Sequence, residues 1–366
     1  MSRHRATRHL LLPILALAVT PLAFADAPVE VAGSATFHPL AQEVARRAST
    51  KPDGGDYRLR PTGTLAGIAA FCKGDAPGLP EIVNTTRRMR EAEIADCKAR
   101  GVNGIVEVKV GYDGVALAMA APRPPTAGDS GDPGSGHRMA LSVRDLYLAL
   151  AYRVPDPKGG DRLVPNPYRT WKEVNADLPD TPIRVVGSET ATGTQDTLAE
   201  LGLEAGCAQI EAVRRITGRN RHRMADLCRP LREDGAWREI PGTDADLADA
   251  LRDDPQAIAV TGWHALTGNR AGLRILAVEG VPPSPLAIAT GVYPLTRPIY
   301  VYFKKTNLES LPAIQRYVAE VTSDDAWGEG GYLTAAGMVP MMVDERQKYG
   351  YIAEHWVEPA CPPFCR

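Results

Sequence analysis

Three times along this chain of 366 residues a short run with the look of a strand ends in a turn of small, hydroxylated residues and passes into a helical pattern. The turns are Ser34-Ala35-Thr36, Thr62-Gly63-Thr64 and Thr192-Gly193-Thr194, entered from Val29–Ala32, Tyr57–Arg60 and Ile183–Val186. Strands linked through helices lie parallel, and a parallel sheet needs helices on its faces. The alternation therefore predicts an α/β fold with largely parallel sheets. Further segments extend it: Glu81–Val83, Ile105–Val110, Val115–Ala120, Ala257–Val260, Leu286–Ala289 and Pro298–Phe303 read as strands. Glu91–Arg100, Val143–Ala151, Thr194–Leu203, Asp246–Leu251 and Leu308–Thr322 read as helices. Tyr112-Asp113-Gly114 reads as a turn between two strands. The stretch 121–138, rich in Pro, Gly, Ser and Asp, reads as a surface loop.

The length suggests two domains at about 150 residues each. Lys plus Arg number 42 against 44 Asp plus Glu, which argues against a nucleic-acid binder. Arg219–Arg223 is a basic run with His222 inside it, and without interleaved aromatics it reads as a solvated helix face. At the N-terminus Arg3, Arg5 and Arg8 precede an apolar run from Leu10 to Val19 and the cleavage pattern Ala23-Phe24-Ala25. Residues 1–25 thus have the form of a secretory signal peptide, and the expected location is the periplasm. In an oxidising compartment the 6 cysteines, Cys72, Cys97, Cys207, Cys228, Cys361 and Cys365, read as disulfide formers. Proximity favours Cys72–Cys97, Cys207–Cys228 and Cys361–Cys365, and no spacing fits a zinc site.

The three turns share a chemistry. The first turn of a helix has unpaired N–H groups and a partial positive charge, and small residues let an anion reach that backbone. Hydroxyls add neutral donors, and open α/β sheets place ligands at the carboxyl ends of their strands. Arg87, after the third strand, could add a full positive charge and grip an oxyanion with two parallel hydrogen bonds. His38, directly before Pro39 at a helix start, reads as structural.

An ordered set of short segments carries a resemblance. It comprises Ala32-Gly33-Ser34-Ala35-Thr36-Phe37, Thr62-Gly63-Thr64, Ala69-Ala70-Phe71-Cys72, Asn84-Thr85-Thr86-Arg87, Glu93-Ile94-Ala95-Asp96-Cys97-Lys98, Val110-Gly111-Tyr112-Asp113-Gly114, Thr192-Gly193-Thr194 and Arg232-Glu233-Asp234-Gly235-Ala236. In this order the chain resembles the periplasmic phosphate-binding proteins of phosphate ABC transporters. The resemblance implies a two-lobed periplasmic-binding-protein fold, each lobe a mainly parallel sheet flanked by helices, with the ligand in the cleft between lobes. The lobes would be residues 27–113 plus 291–366, and residues 114–290. It implies ligand contacts from Thr36, Phe37, Thr64, Thr192, Gly193 and Thr194, beside Ser34 and Arg87 from the reading of the turns. It also implies a monomer that passes its ligand to an inner-membrane ABC permease, with no cofactor, metal or enzymatic activity.

The family often has an acidic residue where this chain has Arg87, and that residue accepts the proton of HPO4 and so rejects sulfate. An arginine expected before the third turn is Ser188, and one just after it is Gln195. Sulfate or arsenate is therefore the alternative ligand, and Glu189 and Asp196 are the candidate replacement acceptors. A third reading, an exported hydrolase or protease, would rest on Ser130 in Gly128-Asp129-Ser130-Gly131-Asp132-Pro133. No His–Asp pair is patterned around that serine.

Overall fold

The computed structural model describes residues 28–359 except 53, 122–138, 189–192, 219, 241–246 and 267–271. The signal-like segment, the Ser130 loop, Thr192, Glu189, Arg219, Cys361 and Cys365 lie outside the described residues.

The strands are β1 (Val29–Gly33), β2 (Tyr57–Arg60), β3 (Ile82–Thr85), β4 (Ile105–Ala120), β5 (Arg153–Pro155), β6 (Leu163–Pro165), β7 (Val185–Ser188), β8 (Trp237–Ile240), β9 (Ile258–Gly262), β10 (Leu273–Leu276) and β11 (Thr296–Lys304). Nine of them form one sheet in the order β2-β1-β3-β11-β4-β9-β7-β8, with β10 also on β4, and β5 and β6 make a separate hairpin. Each end of this sheet is parallel: β2, β1 and β3 at one, β9, β7 and β8 at the other. Between them β11 and β4 run antiparallel to their neighbours. The fold is thus mixed α/β with mostly parallel outer strands and flanking helices, as the alternation predicts.

β4 is the structural hub, and it corrects the turn at Tyr112-Asp113-Gly114. It runs for 16 residues without interruption. Its first part pairs with β11, and from Val115 onward it pairs with β9 and β10. Gly114, which closes the turn-like run, and Gly111 just before it both sit where the strand is closely packed. A Cβ on Gly111 would meet Met338 Sδ at 2.7 Å, and one on Gly114 would meet Ile288 Cδ1 at 2.9 Å. The hydrophobic interior divides at the same place. One cluster holds Phe37, Phe71, Val108, Phe303, Tyr317 and Trp327. The second large one holds Val115, Tyr147, Trp171, Trp263, Tyr293 and Leu295, and a small third one holds Ala118, Val186 and Leu251.

The helices that matter for the site are α1 (His38–Ser49), α2 (Thr64–Phe71) and α3 (Glu91–Ala99), which follow β1, β2 and β3, and α4 (Val143–Leu150). α1 buries Ala41, Val44, Ala45 and Ala48, one face at helical spacing. Pro39 in its first turn needs no hydrogen bond there. α4 starts with a reciprocal capping pair, Ser142 and Asp145. Two readings need amendment. Pro285–Ala289 is a short helix capped by Ser284, not a strand, because the proline opens it and the Ser284 hydroxyl accepts from Ala287 N–H. The helix after the third turn is α-helical only over Gly193–Thr197 and continues as a π-helix over Leu198–Glu204. Disulfides join Cys72 to Cys97 and Cys207 to Cys228. No described helix is long and apolar enough to cross a membrane.

Candidate functional site

A cavity of about 330 Å³ opens between the elements that carry the two large hydrophobic clusters. One wall is the start of α2, Thr62 to Ala66, together with Thr86, Arg87 and Arg90. The facing wall is Asp196, Thr197, Glu200, Leu201 and Arg229, and the floor is Thr296-Arg297-Pro298 at the beginning of β11. A larger recess of about 400 Å³ lies between Trp263, Leu286 and Met338–Val343. Its lining is almost wholly apolar, so the polar cavity is the one suited to a small charged ligand.

Local structure explains each wall. β1 ends at Gly33, whose backbone has φ +123 and whose missing Cβ lets Asn84 O lie against it. Ser34 N–H then donates to Asn84 O at 2.8 Å, which ties the first turn to the end of β3. The second turn is tied to the same point, because Gly63 N–H donates to Gly33 O at 2.8 Å. The starts of α1 and α2 are therefore held side by side at the carboxyl ends of β1 and β3. Thr64 Oγ1 accepts from Thr86 N–H at 3.2 Å and shares a second hydrogen bond of 3.2 Å with the Thr86 hydroxyl. The first N–H groups of α2 have no partner inside the helix and lie along the cavity wall.

The structure brings only some of the expected residues to this cavity. Thr64 and Arg87 line it directly. Thr36 borders an adjoining cavity of about 190 Å³ with Asp113 and His264, and its hydroxyl is bonded to Arg297 in the floor of the first. The Phe37 ring is fully buried in the first hydrophobic cluster, so only its backbone could face a ligand. Ser34 is buried, and its hydroxyl accepts from Phe37 N–H at 3.4 Å. Gly193 opens the facing helix and Thr194 is buried behind it. Asp196 lines the cavity, whereas Gln195 turns away to donate to Glu239 Oε1 at 3.0 Å.

The charges are arranged in pairs. Arg87 donates from Nη1 and Nη2 to the two oxygens of Glu93, at 2.8 and 2.7 Å. Burial opposes the charge on Arg87, but Glu93 overcomes it and the guanidinium pKa rises. Burial likewise opposes ionisation of Glu93, yet the Arg87 hydrogen bonds and the Arg90 N–H hold its carboxyl below the ordinary value. The fork on Arg87 that could clasp an anion is thus already spent on a neighbouring carboxylate. Arg229 donates from Nε to Glu204 at 2.5 Å and lies 3.8 Å from Glu200. The Thr296 hydroxyl, in the floor, is buried with no hydrogen-bond partner among the described residues. Sequence reasoning missed Arg90, Arg229, Thr296 and Arg297, since nothing in their local pattern marks them. Among the described residues no group of three or more His, Cys, Asp or Glu could hold a metal ion.

A sheet whose parallel ends meet at two central antiparallel strands, with a polar cavity beside them, defines a ligand-binding class of α/β protein. The PBP superfamily domain matches residues 18–325, and the chain belongs to that superfamily. Its family and fold are those of substrate-binding proteins. It is 23% identical over 318 residues to Protein SphX of Synechococcus elongatus, covering 82% of this chain and 78% of that one. It is 20% identical over 311 residues to the phosphate-binding protein PstS of Staphylococcus epidermidis, covering 83% and 77%. Among solved structures it is similar to a possible phosphate binding protein from Planctomyces limnophilus, with TM-score 0.65 and 21% identity over 91% of this chain and 99% of that one. It is also similar to an ABC-type phosphate transport receptor from Vibrio cholerae, with TM-score 0.56 and 15% identity over 86% and 99%.

Proposed function

We propose that this chain is an exported solute-binding protein that captures inorganic phosphate between two lobes and delivers it to an ABC permease. The observation that carries the reading is the cavity between the elements of the two large hydrophobic clusters. It combines a helix start, the hydroxyls of Thr64 and Thr86, the unpartnered Thr296 hydroxyl and four guanidinium groups. A buried hydroxyl without a partner is costly and is ready to donate to a ligand. The names of two proteins it is similar to, the phosphate-binding protein PstS and the possible phosphate binding protein from Planctomyces limnophilus, support the same ligand class.

On this reading lobe 1 is residues 27–113 plus 291–366 and lobe 2 is residues 114–290. The change of strand partners and of hydrophobic cluster near Val115 supports that division. The protein acts in the periplasm as a monomer, without cofactor or catalysis. Lobe 1 offers Ser34, Thr36, the Phe37 backbone, Thr64 and Arg87, and lobe 2 offers Thr192, Gly193 and Thr194. Hinge motion about the central strands closes the lobes on the anion.

Selectivity follows from protonation. Monohydrogen phosphate has a proton to donate and sulfate has none, so a carboxylate in the site favours phosphate. Asp196 and Glu200 are the carboxylates in the cavity wall. Titration calorimetry of the ligand-stripped protein with phosphate and with sulfate, at pH 6 and pH 8, tests both parts. The expected result is phosphate binding at micromolar concentration or tighter, with sulfate at least about tenfold weaker, a difference of one hydrogen bond to a charged group. Equal binding of the two anions would support the second reading, a broader oxyanion receptor, which the arginine at position 87 favours. Binding of neither would overturn the proposal.

A further inference from the structure

Arg297 is the most enclosed cation at the cavity. Its side chain is 6% exposed, against 19% for Arg87. It stands on β11 directly opposite Asp113 on β4, the two central strands of the sheet. Arg297 Nε and Nη2 donate to Asp113 Oδ2, at 3.3 and 3.0 Å. The other Asp113 oxygen accepts from Gly114 N–H at 2.8 Å, so the carboxylate is itself fixed to the strand. Nη2 also donates to Thr36 Oγ1 at 2.7 Å. Arg297 Nη1 has no partner among the described residues, and Arg297 forms part of the cavity floor.

We propose that Arg297, held by Asp113, is the residue that orders the oxyanion site, by fixing the Thr36 hydroxyl as a donor and offering Nη1 to the anion. This rests on the functional reading above. A guanidinium has only donors, so the Thr36 oxygen that faces it must accept. The Thr36 hydroxyl proton is then committed elsewhere, and an anion is the partner it can serve best. A hydroxyl held as a donor before the ligand arrives loses less rotational freedom on binding. Arg87 cannot do this work in the same way, because its fork is bonded to Glu93. Asp113 keeps the buried Arg297 charged and aimed, since a buried guanidinium needs a partner. The central strands also belong to both halves of the sheet, so Arg297 keeps its place whichever way the halves move.

The test is calorimetric titration of inorganic phosphate into the stripped protein and its variants, with ligand-free melting recorded for each. Arg297→Gln should weaken phosphate binding about tenfold or more, the loss of a charge-assisted contact. Arg297→Lys should recover only part of it, because an ammonium keeps the charge and loses the fork. Arg87→Gln should cost less than Arg297→Gln. Thr36→Val should also weaken binding, and in the double variant Arg297→Gln/Thr36→Val the losses should be clearly less than additive, because both act through one hydroxyl. Wild-type affinity in Arg297→Gln, or strictly additive losses, would overturn the inference while leaving the phosphate reading intact. So would a lowered melting temperature with unchanged affinity in Arg297→Lys, the mark of a merely structural pair. If wild-type protein bound no phosphate, the functional reading would fail first and the inference with it.

Discussion

Gly33→Ala is expected to destabilise the protein by roughly 3 kcal/mol or more and to abolish tight anion binding with it. Two costs add at this position. The backbone there has φ +123, a region that L side chains rarely adopt, and holding one in it costs roughly 1–3 kcal/mol. A new Cβ would also lie 2.0 Å from Asn84 O, a backbone atom of the last β1–β3 pair that cannot swing away as a side chain could. Forcing extra atoms into a packed site costs typically about 1–3 kcal/mol more. Helix α2 closes on the same point, since a Cβ at Gly67 would come within 2.6 Å of Gly33 Cα. Relief of the clash must therefore separate the starts of α1 and α2, which carry Thr36 and Thr64. Gly78→Ala is the control: its φ is +85, but nothing lies within 4 Å of the added carbon. Only the conformational cost applies there, on the order of 1 kcal/mol, with phosphate affinity retained. Urea denaturation and phosphate titration of the two variants make the comparison. Equal behaviour of Gly33→Ala and Gly78→Ala would remove the close approach of β1 and β3 as the element that builds the site.

The second large effect is expected from reduction. Cys72–Cys97 closes a separation of 25 residues and Cys207–Cys228 one of 21. Loop-closure entropy for such spans is worth roughly 3 kcal/mol each. Together that is comparable to the whole stability of a small globular protein, roughly 5–15 kcal/mol. Cys72 follows the last residue of α2 and Cys97 lies within α3, so the first bond also fixes the helix whose other end lines the cavity. Cys207–Cys228 joins the helical segments behind the opposite wall. Denaturant titration with and without reductant should show the midpoint fall sharply, with the Cys72→Ala/Cys97→Ala and Cys207→Ala/Cys228→Ala proteins each giving about half the loss. An unchanged midpoint would mean that packing alone holds these helices.

Much of the cavity wall at the start of α2 is readable because it is local. A strand, a small hydroxylated turn and a helix start follow one another directly over Val29–Leu40 and again over Tyr57–Ile68. Asp196, a candidate acceptor from its place just after the third turn, lines the cavity. The misreadings are equally local in origin. Tyr112-Asp113-Gly114 has the composition of a turn, yet it sits in an unbroken strand, with Ile288 packed against Gly114. Leu286–Ala289 is as apolar as a strand, but the Ser284 cap and Pro285 start a helix. Strands β8 and β10 carried no clear alternation and were not anticipated: Trp237 is buried and Arg238 and Glu239 are exposed.

From sequence alone came the α/β class, the order of the turns and the hydroxyl chemistry at their helix starts, because each depends on neighbours a few residues apart. Tertiary structure decided how the charges around the cavity are paired. Arg87 looked free in the sequence and is paired with Glu93 six residues on, whose position depends on how α3 leaves its loop. Arg297 looked like any strand residue, and it reaches Thr36 across a separation of 261 residues. No periodicity records a contact of that range. It exists because β11 returns to the centre of the sheet between β3 and β4 and brings a buried guanidinium to the end of the first turn.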